Sequence, residues 1–462
     1  MSVAGSRGLA SALGGIVGEN FVLSSNFEQY LRDETETRGI RGRADAVVLP
    51  GDAAEVAAVV AWCYENDVDI TPRGGGTGYA GGAVPLDGGV VLSLERLGRV
   101  RAFDPLVWRI QVEAGVRTAK LHQLARESGL WFPPDPGAAE TSQVGGNIAT
   151  NAGGPHAFKY GVTGAWVLGL EAVVPPGELI TIGGPVRKDV AGYDLKSLLI
   201  GSEGTLGIIT AAWIRLIPAP ECALPLIGIY PDRDAGVSAI EAVLGNGIPA
   251  AALEYLDGRS LAASAATFPF ELPAHSGFAV VAEVDGSRAE TERLADEMQG
   301  VLAEGALVVH RVADTDEVAR LWRWRDGVSV AVTSIKGWKV SEDISVPLDR
   351  LRDALAGTEA IAERYGLESC SWGHAGDGNL HTTFLVDQAD EAELTLAANA
   401  ASDLFALTIE LGGSISGEHG LGMVKRGGLA RQWTDPAVSL HEAVKRVFDP
   451  KNLLNPGKKL AR

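Results

Sequence analysis

The chain has 462 residues, 46% of them hydrophobic and 21% charged, with a net charge of −19; this is the composition of a soluble globular protein with room for two or three domains. The acidic balance argues against a general nucleic-acid-binding surface, which needs a basic footprint, so nucleic acid is not an expected partner. Cys63, Cys222 and Cys370 are scattered with no CxxC, which argues against a disulfide framework and suits a reducing compartment; no apolar run approaches the roughly 20 residues that cross a bilayer.

Met1 to Gly18 carries Arg7 and short apolar runs broken by glycine, and no secretory signal is expected there. The expected location is the cytoplasm, with peripheral association at the inner face of the membrane left open. Val47 to Leu49 reads as a short strand closed by Pro50, and Asp52 as the N-cap of a helix from Ala53 to Asn66. Val68 to Thr71 reads as the next strand, running into Arg73-Gly74-Gly75-Gly76-Thr77-Gly78. Val90 to Leu94 and Arg109 to Glu113 read as strands, and Thr118 to Ser128 as an amphipathic helix. From Pro133 to Gly154 the composition predicts turn and loop throughout, including Gly145-Gly146-Asn147-Ile148-Ala149-Thr150-Asn151-Ala152-Gly153-Gly154. A third cluster of small residues is Gly201-Ser202-Glu203-Gly204-Thr205-Leu206-Gly207. After Pro218-Ala219-Pro220 the glycine clusters vanish and helix–strand alternation runs to about Cys370, which places a domain boundary near residue 220. Leu321-Trp322-Arg323-Trp324-Arg325 is expected to begin a helix, and Phe448 to Gly457 closes the chain as a turn-rich segment.

A glycine-rich loop after a strand lets backbone N–H groups close on phosphate oxygens. The P-loop pattern fails here because Tyr79 follows Gly78, and the dinucleotide fingerprint fails because Gly81, Gly82 and Pro85 continue as loop and open no helix. A plain flexible loop would account for one such segment. Three in the first 220 residues point to one extended ligand, of the size of a pyrophosphate dinucleotide. Arg73 can add a cation, and Ser142, Asn147, Thr150 and Asn151 can hydrogen-bond without adding charge.

Three of the 8 histidines lie in Gly373-His374-Ala375-Gly376-Asp377-Gly378-Asn379-Leu380-His381 and Gly417-Glu418-His419-Gly420. Asp377-Gly378 is a two-residue hairpin signal. With it at the turn centre, Gly376 faces Asn379, Ala375 faces Leu380 and His374 faces His381, with Cβ atoms roughly 4.5–5.5 Å apart; two imidazoles there can share a metal ion. Glu418 is the expected third ligand and His419 the base beside it. Neighbouring side chains on an extended segment point opposite ways, so Gly417 and Gly420 must lend the backbone freedom that brings both inward. A His₂Glu set leaves an open coordination position, as in catalytic zinc sites, and manganese or iron accepts the same ligands. Each residue alone has a structural explanation; the combination points to a metal. Arg323 and Arg325, two apart, do not share a helix face, so one can turn inward while the other is solvated.

Pro72-Arg73-Gly74-Gly75-Gly76-Thr77-Gly78, the 145–154 segment and the 201–207 segment together resemble the FAD-binding flavoproteins of the vanillyl-alcohol oxidase (PCMH-type) superfamily. Within it the chain is similar, over nearly its whole length, to the D-2-hydroxyacid dehydrogenase branch, which includes D-lactate dehydrogenase, the glycolate oxidase D subunit and D-2-hydroxyglutarate dehydrogenase. The resemblance implies an α+β fold: a two-part FAD-binding domain over 1–220, a cap domain over 221–425 with a central antiparallel sheet flanked by helices, and a segment over 426–462 that returns to the FAD domain. It implies FAD cradled at its pyrophosphate by Arg73, Gly74, Gly75, Gly76, Thr77, Gly78 and Gly82. Pro134, Ser142, Gly145, Gly146, Asn147, Asn151, Gly153, Glu203, Gly204, Ile208, Ile209 and Asn455 would flank the rest. No histidine lies in the 73–82 loop, so the flavin is expected to be non-covalent.

By the same resemblance, GHxGDGNLH and EHG carry metal and base: His374, His381 and Glu418 would hold a divalent metal, zinc first and manganese or iron as rivals, and His419 would be the base. Arg325 matches the arginine that grips the substrate carboxylate, a task suited to a planar guanidinium. Ser329, Lys339 and Thr383 complete the expected pocket, with departures from the family pattern. Ser341 stands two before Asp343 where relatives have lysine, so Lys339 would substitute. Ser329 and Thr383 stand where dicarboxylate-specific members carry Thr and Asn. These departures put D-2-hydroxyglutarate in doubt as substrate and leave the class of D-2-hydroxyacids (lactate, glycolate, malate or 2-hydroxyglutarate) intact. The implied reaction is oxidation to the 2-oxoacid, with hydroxyl deprotonation by His419, metal assistance and hydride transfer to flavin N5. Electrons would pass to a quinone, a cytochrome or an electron-transfer flavoprotein, and a homodimer is compatible with the pattern. Two alternatives stand beside this reading. One is a flavin subunit, catalytic or scaffold, of a larger redox complex such as a glycolate oxidase. The other is a metal-dependent hydrolase using His374, His381 and Glu418, which leaves the glycine segments without a role.

Overall fold

The computed structural model describes residues 3–35 and 40–460. The chain divides into two compact units: Met1–Gly153, Val162–Ala219 and Glu418–Arg462 form the first, and Gly154–Gly161 with Pro220–Gly417 the second. The sequence places the first boundary near 220 and the return at 426; the contacts put them at Pro220 and Glu418. The short excursion over 154–161 has no sequence signal that set it apart from the glycine run before it. Met1 and the side chain of Arg7 lie outside the described residues.

The first unit holds a four-stranded sheet in the order Val22–Leu23, Ala46–Val48, Val90–Ser93, Ile70–Arg73. Its last two pairings are parallel. The helix Ala53–Glu65 covers it, packing Val56, Val59, Val60 and Cys63 on Val48, Val90 and Leu92. Asp52 caps that helix by accepting the Glu55 N–H at 2.9 Å, as its position predicts. The helix Val3–Val17 adds Leu9, Leu13 and Val17 to the same core. A five-stranded antiparallel sheet follows in the order Val100–Asp104, Arg109–Glu113, Ile208–Arg215, Val167–Val174, Glu178–Gly183.

One expectation fails here. Val144–Thr150 is a helix, within the stretch expected to be loop. Gly145 and Gly146 disfavour helix intrinsically, but packing overrides propensity: a Cβ on Gly145 would stand 2.5 Å from the Ala114 Cβ, and the Gly146 backbone lies 3.4 Å from the Cβ position of Gly74. The small residues that looked like loop are there because this helix lies against other backbone. It ends at Asn151 in the left-handed region, φ 56°.

The second unit is built on a seven-stranded sheet in the order Val308–Arg311, Cys222–Tyr230, Phe278–Gly286, Ala252–Asp257, Glu368–His374, Asn379–Val386, Trp338–Ser345, antiparallel at every pairing. Alternate residues face opposite layers. Tyr255, Val280 and Phe384 pack on one side with Val237, Met298, Leu355 and Leu404 from helices Arg233–Gly245, Arg288–Leu302, Leu351–Tyr365 and Glu391–Glu410. Leu256, Val281 and Trp372 pack on the other with Leu261, Leu321, Trp324 and Val332 from helices Gly258–Ser264, Thr315–Asp326 and Val328–Lys336. Leu321 to Arg325, expected to begin a helix, instead forms the last turns of Thr315–Asp326, because Asp314 caps that helix by accepting the N–H groups of Asp316 and Glu317. Among the described residues no helix is long and apolar enough to cross a membrane.

Candidate active site

In the first unit the three glycine segments converge. The Gly74 and Gly75 backbone lies against 141–146, and a Cβ on Gly75 would collide with the Thr141 carbonyl. Gly204 lies against Pro72, 3.2 Å from the Cβ position to that ring. Among the described residues, no acceptor takes the backbone N–H groups of Gly74, Gly75, Gly76, Thr77 or Gly78. Gln143 Oε1 is buried without a hydrogen bond and lies 3.7 Å from the Cβ position of Gly74. A turn of donors with no Cβ in front of it, beside a buried amide, fits a pyrophosphate.

The polar side chains named for this site are mostly spent on the protein itself. Arg73 Nη1 donates to the Arg32 carbonyl at 2.6 Å and Nη2 to that of Gln29 at 3.0 Å, so its guanidinium holds residues 29–32 while the backbone after it forms the cradle. Burial lowers its pKa. Asn147 Nδ2 donates to Thr118 Oγ1 at 2.7 Å, and Ser142 Oγ lies 2.8 Å from the same hydroxyl. Asn151 Oδ1 accepts the Gly164 N–H at 2.8 Å, and the Pro134 carbonyl lies 2.8 Å from His122 Nε2. Glu203, at φ 55°, accepts the N–H groups of Leu421 at 2.9 Å and Gly422 at 2.6 Å, with Lys459 at 3.2 Å. Asn455 Nδ2 donates to the carbonyls of Gly82 at 2.9 Å and Glu203 at 2.7 Å; the closing segment thus clamps the first and third glycine segments together. Ile208 and Ile209 open a core strand. Glu418 lies beside Gly153, with Oε2 2.7 Å from its Cβ position, and the His419 ring stacks on Tyr79 at 4.8 Å.

In the second unit one sheet face carries a polar row. The hairpin register differs from the expected one: His374 pairs with Asn379 and His381 with Trp372. The connection is therefore the four residues Ala375 to Gly378, because the Gly376 N–H turns to the Leu253 carbonyl at 3.0 Å and does not continue the ladder. His374 and His381 are diagonal neighbours on one face, and their rings still meet edge to face with centroids 5.3 Å apart. Asp343, opposite His381, accepts from Asn379 Nδ2 at 2.7 Å, Ser416 Oγ at 3.0 Å and the Gly417 N–H at 2.9 Å. These bonds pin the chain one residue before Glu418.

Arg325 is buried and Arg323 exposed, as two residues on different helix faces should be. Arg325 Nε donates to Glu254 Oε2 at 2.8 Å. Its Nη2 lies 2.5 Å from the same oxygen, so the Nε–Nη2 edge of the guanidinium faces Glu254. Glu254 Oε1 lies 2.6 Å from His374 Nδ1. Burial would raise the Glu254 pKa, but its partners His374 and Arg325 outweigh it and hold the carboxyl below its ordinary value. Lys339 Nζ donates to Ser329 at its carbonyl, 2.8 Å, and its hydroxyl, 2.6 Å, and burial pulls its pKa down to about 8. Ser341 Oγ and Thr383 Oγ1 share a hydrogen bond of 2.8 Å.

Three contributors went unnoticed in the sequence. Glu254 is the first; its signal was a lone carboxylate inside the apolar run Ala250 to Leu256, where an unpaired charge is too costly to bury. Gln143 is the second. The third is the 154–161 excursion, whose His156 Nε2 lies 2.9 Å from Glu283 while Tyr160 donates to Asp285 at 2.7 Å.

Two family models match the chain: an FAD binding domain over residues 44–183, and the FAD linked oxidases, C-terminal domain, over residues 227–459. Glycolate oxidase subunit GlcD of Bacillus subtilis is 36% identical over 445 residues, covering 96% of this chain and 94% of that protein. D-lactate dehydrogenase of Anaerostipes hadrus is 34% identical, covering 93% and 92%. D-2-hydroxyglutarate dehydrogenase of Xanthomonas citri pv. viticola is 35% identical, covering 94% and 92%. Among solved structures, substrate-bound p-cresol methylhydroxylase superposes with a TM-score of 0.82 at 17% identity, covering 100% of this chain and 98% of that one, a likeness of fold.

Proposed function

The chain belongs to the FAD-linked oxidases, in the D-2-hydroxyacid dehydrogenase branch of the PCMH-type superfamily, and from this premise we propose that it oxidises a D-2-hydroxyacid to the 2-oxoacid with FAD and a divalent metal. The observation that carries the proposal is the row Glu254–His374–His381 on one sheet face, met by Arg325 from the helix packed on that face: an anion anchor and two metal-type ligands in a single network. A metal hydrolase would leave the glycine cradle of the first unit without use.

The backbone N–H groups of 74–78 would hold the FAD pyrophosphate, and Gln143 and the clamped 201–207 segment would border it. Bound FAD supplies the hydride acceptor, N5. His374 and His381 would ligate the metal, with Glu418, one residue beyond the pinned Gly417, as third ligand. These residues would hold zinc, or else manganese or iron, which would supply Lewis acidity toward the substrate hydroxyl. Arg325 takes the substrate carboxylate through the side of its guanidinium that Glu254 does not hold, and His419 takes the hydroxyl proton. The expected acceptors remain a quinone, a cytochrome or an electron-transfer flavoprotein, with the protein in the cytoplasm or at the inner face of the membrane.

Purified protein is expected to be yellow and to bleach anaerobically with D-lactate, glycolate, D-malate or D-2-hydroxyglutarate, and to lose that response after metal is stripped with a chelator. No bleaching by any of the four would end the proposal; unchanged bleaching of metal-free protein would remove the metal from it.

Lys339 is the second cation of the pocket, and its low pKa makes its service dependent on pH. The ammonium is charged below about 8 and neutral above it. Binding that relies on its charge is therefore present at neutral pH and fades as pH rises through that value. If Lys339 takes the distal carboxylate of a dicarboxylate, KM for D-malate or D-2-hydroxyglutarate rises above pH 8 while KM for D-lactate stays nearly level, and Lys339→Met abolishes the difference. Parallel KM profiles for both substrate types would assign Lys339 to Ser329 alone.

A second reading, a catalytic subunit of a larger redox complex, is favoured by apolar side chains on the first unit: Val190 is 97% exposed, Tyr193 94%, Val447 78% and Leu440 68%. Such surface often marks a partner's seat.

A further inference from the structure

Glu254 has an arrangement that the family reading does not require. It is fully buried, on the strand Ala252–Asp257, in register with His374. Each carboxylate oxygen has its own partner: Oε1 lies 2.6 Å from His374 Nδ1, and Oε2 takes Arg325 Nε at 2.8 Å. A carboxylate on Nδ1 turns Nε2 outward as the ligating nitrogen and raises its basicity. The same carboxylate holds the Nε–Nη2 edge of the Arg325 fork, at 2.8 and 2.5 Å, and leaves the Nη1 side for an incoming anion. A neighbouring carboxylate acts on the same helix without touching either group: Glu283 Oε2 accepts Trp322 Nε1 at 3.0 Å, three residues before Arg325. Glu283 therefore separates general support of the helix from the specific role of Glu254.

We propose that Glu254 is a positioning residue that couples metal binding at His374 to substrate-carboxylate capture at Arg325. This rests on the proposed metal-assisted oxidation. Losing the carboxylate frees His374 to rotate and to change tautomer, and frees the guanidinium to leave its plane. Both binding events then weaken together, although Glu254 touches neither metal nor substrate.

The test uses the FAD-loaded full chain and measures Zn²⁺ affinity by competition with a chromogenic chelator, KM and kcat for the best D-2-hydroxyacid, and thermal stability. Glu254→Gln is expected to weaken Zn²⁺ binding roughly 10–100-fold and to raise KM at least about tenfold, and Glu254→Asp, which keeps the charge, to recover part of both. Glu283→Gln is expected to lower stability with Zn²⁺ affinity and KM unchanged. If Glu254→Gln and Glu254→Asp keep wild-type Zn²⁺ affinity and KM and lose only stability, the residue is structural and the coupling is refuted. A shift in only one of the two affinities also refutes it. If Glu254→Gln does not fold, Glu254→Asp decides by the same criteria. Wild-type protein that binds no Zn²⁺ yet bleaches normally removes the metal from the proposed function and the coupling with it, whereas wild-type binding with no effect in the variants refutes the coupling alone.

Discussion

His419→Asn is expected to yield a protein that keeps its FAD but is reduced by its D-2-hydroxyacid about 10²–10⁴-fold more slowly, the usual effect of losing a general base. Two independent placements support the role. Glu418, the residue before it, lies against Gly153 at the end of the second glycine segment, and the imidazole itself is held by its stack on Tyr79 at 4.8 Å with an interplanar angle of 28°. Asparagine keeps a polar group of similar reach but cannot accept a proton at neutral pH. FAD content should not change, because the proposed cradle is backbone at 74–78 and the side chain that holds that segment is Asn455. Anaerobic rapid mixing that follows flavin bleaching reads the step directly. Reduction at the wild-type rate would take the base role away from His419.

Asp449→Ala is expected to cost about 3 kcal/mol and to release FAD before the fold is lost. Asp449 is 1% exposed and accepts from Tyr64 Oη at 2.8 Å, Lys445 Nζ at 2.6 Å and the N–H groups of Leu453 at 3.2 Å and Leu454 at 2.8 Å. Breaking a buried ion pair from one side costs about 3–5 kcal/mol. The low end applies because Lys445 keeps carbonyl partners at Thr205 and Leu454, each at 2.8 Å. The flavin should go first because these bonds shape 453–455. That stretch exchanges hydrogen bonds with Ile70, to the Leu453 carbonyl at 2.8 Å and from the Asn455 N–H at 2.7 Å, and Ile70 begins the strand that feeds the first glycine loop. Urea titration followed by flavin fluorescence and by circular dichroism should show two separated transitions in the variant. A midpoint equal to that of the wild type would contradict the assignment.

Much of this is legible in the amino-acid sequence itself. Asp52 announces its helix through the free N–H groups it can cap. Three glycine runs announce a ligand approached by backbone, and GHxGDGNLH with EHG supplies residues of the types that would serve a metal and a base. The antiparallel cap with flanking helices follows from the family resemblance. Each misreading has a local cause. Small residues signal loop and close packing alike, so the helix Val144–Thr150 was hidden. Asp-Gly signals a tight turn, but Gly376 bonds Leu253 on a neighbouring strand, and the hairpin register moves with it. Arg73 beside a glycine loop signals phosphate, but carbonyls at Gln29 and Arg32 reach it first.

Residue chemistry and short-range spacing point to a dinucleotide-sized ligand and to candidate metal and base residues, and the family resemblance adds FAD, because capping, turn formation and donor identity depend on a few adjacent residues. The pairing of those groups was not encoded at that range. Glu254 lies 120 positions from His374 and 71 from Arg325; strand order and register in a seven-stranded sheet bring Glu254 beside His374, and the helix Thr315–Asp326 packed on that face brings Arg325. Register depends on packing of whole layers, where a shift of one residue turns every side chain to the other side. Folding of the complete unit therefore decides which buried charge finds which partner.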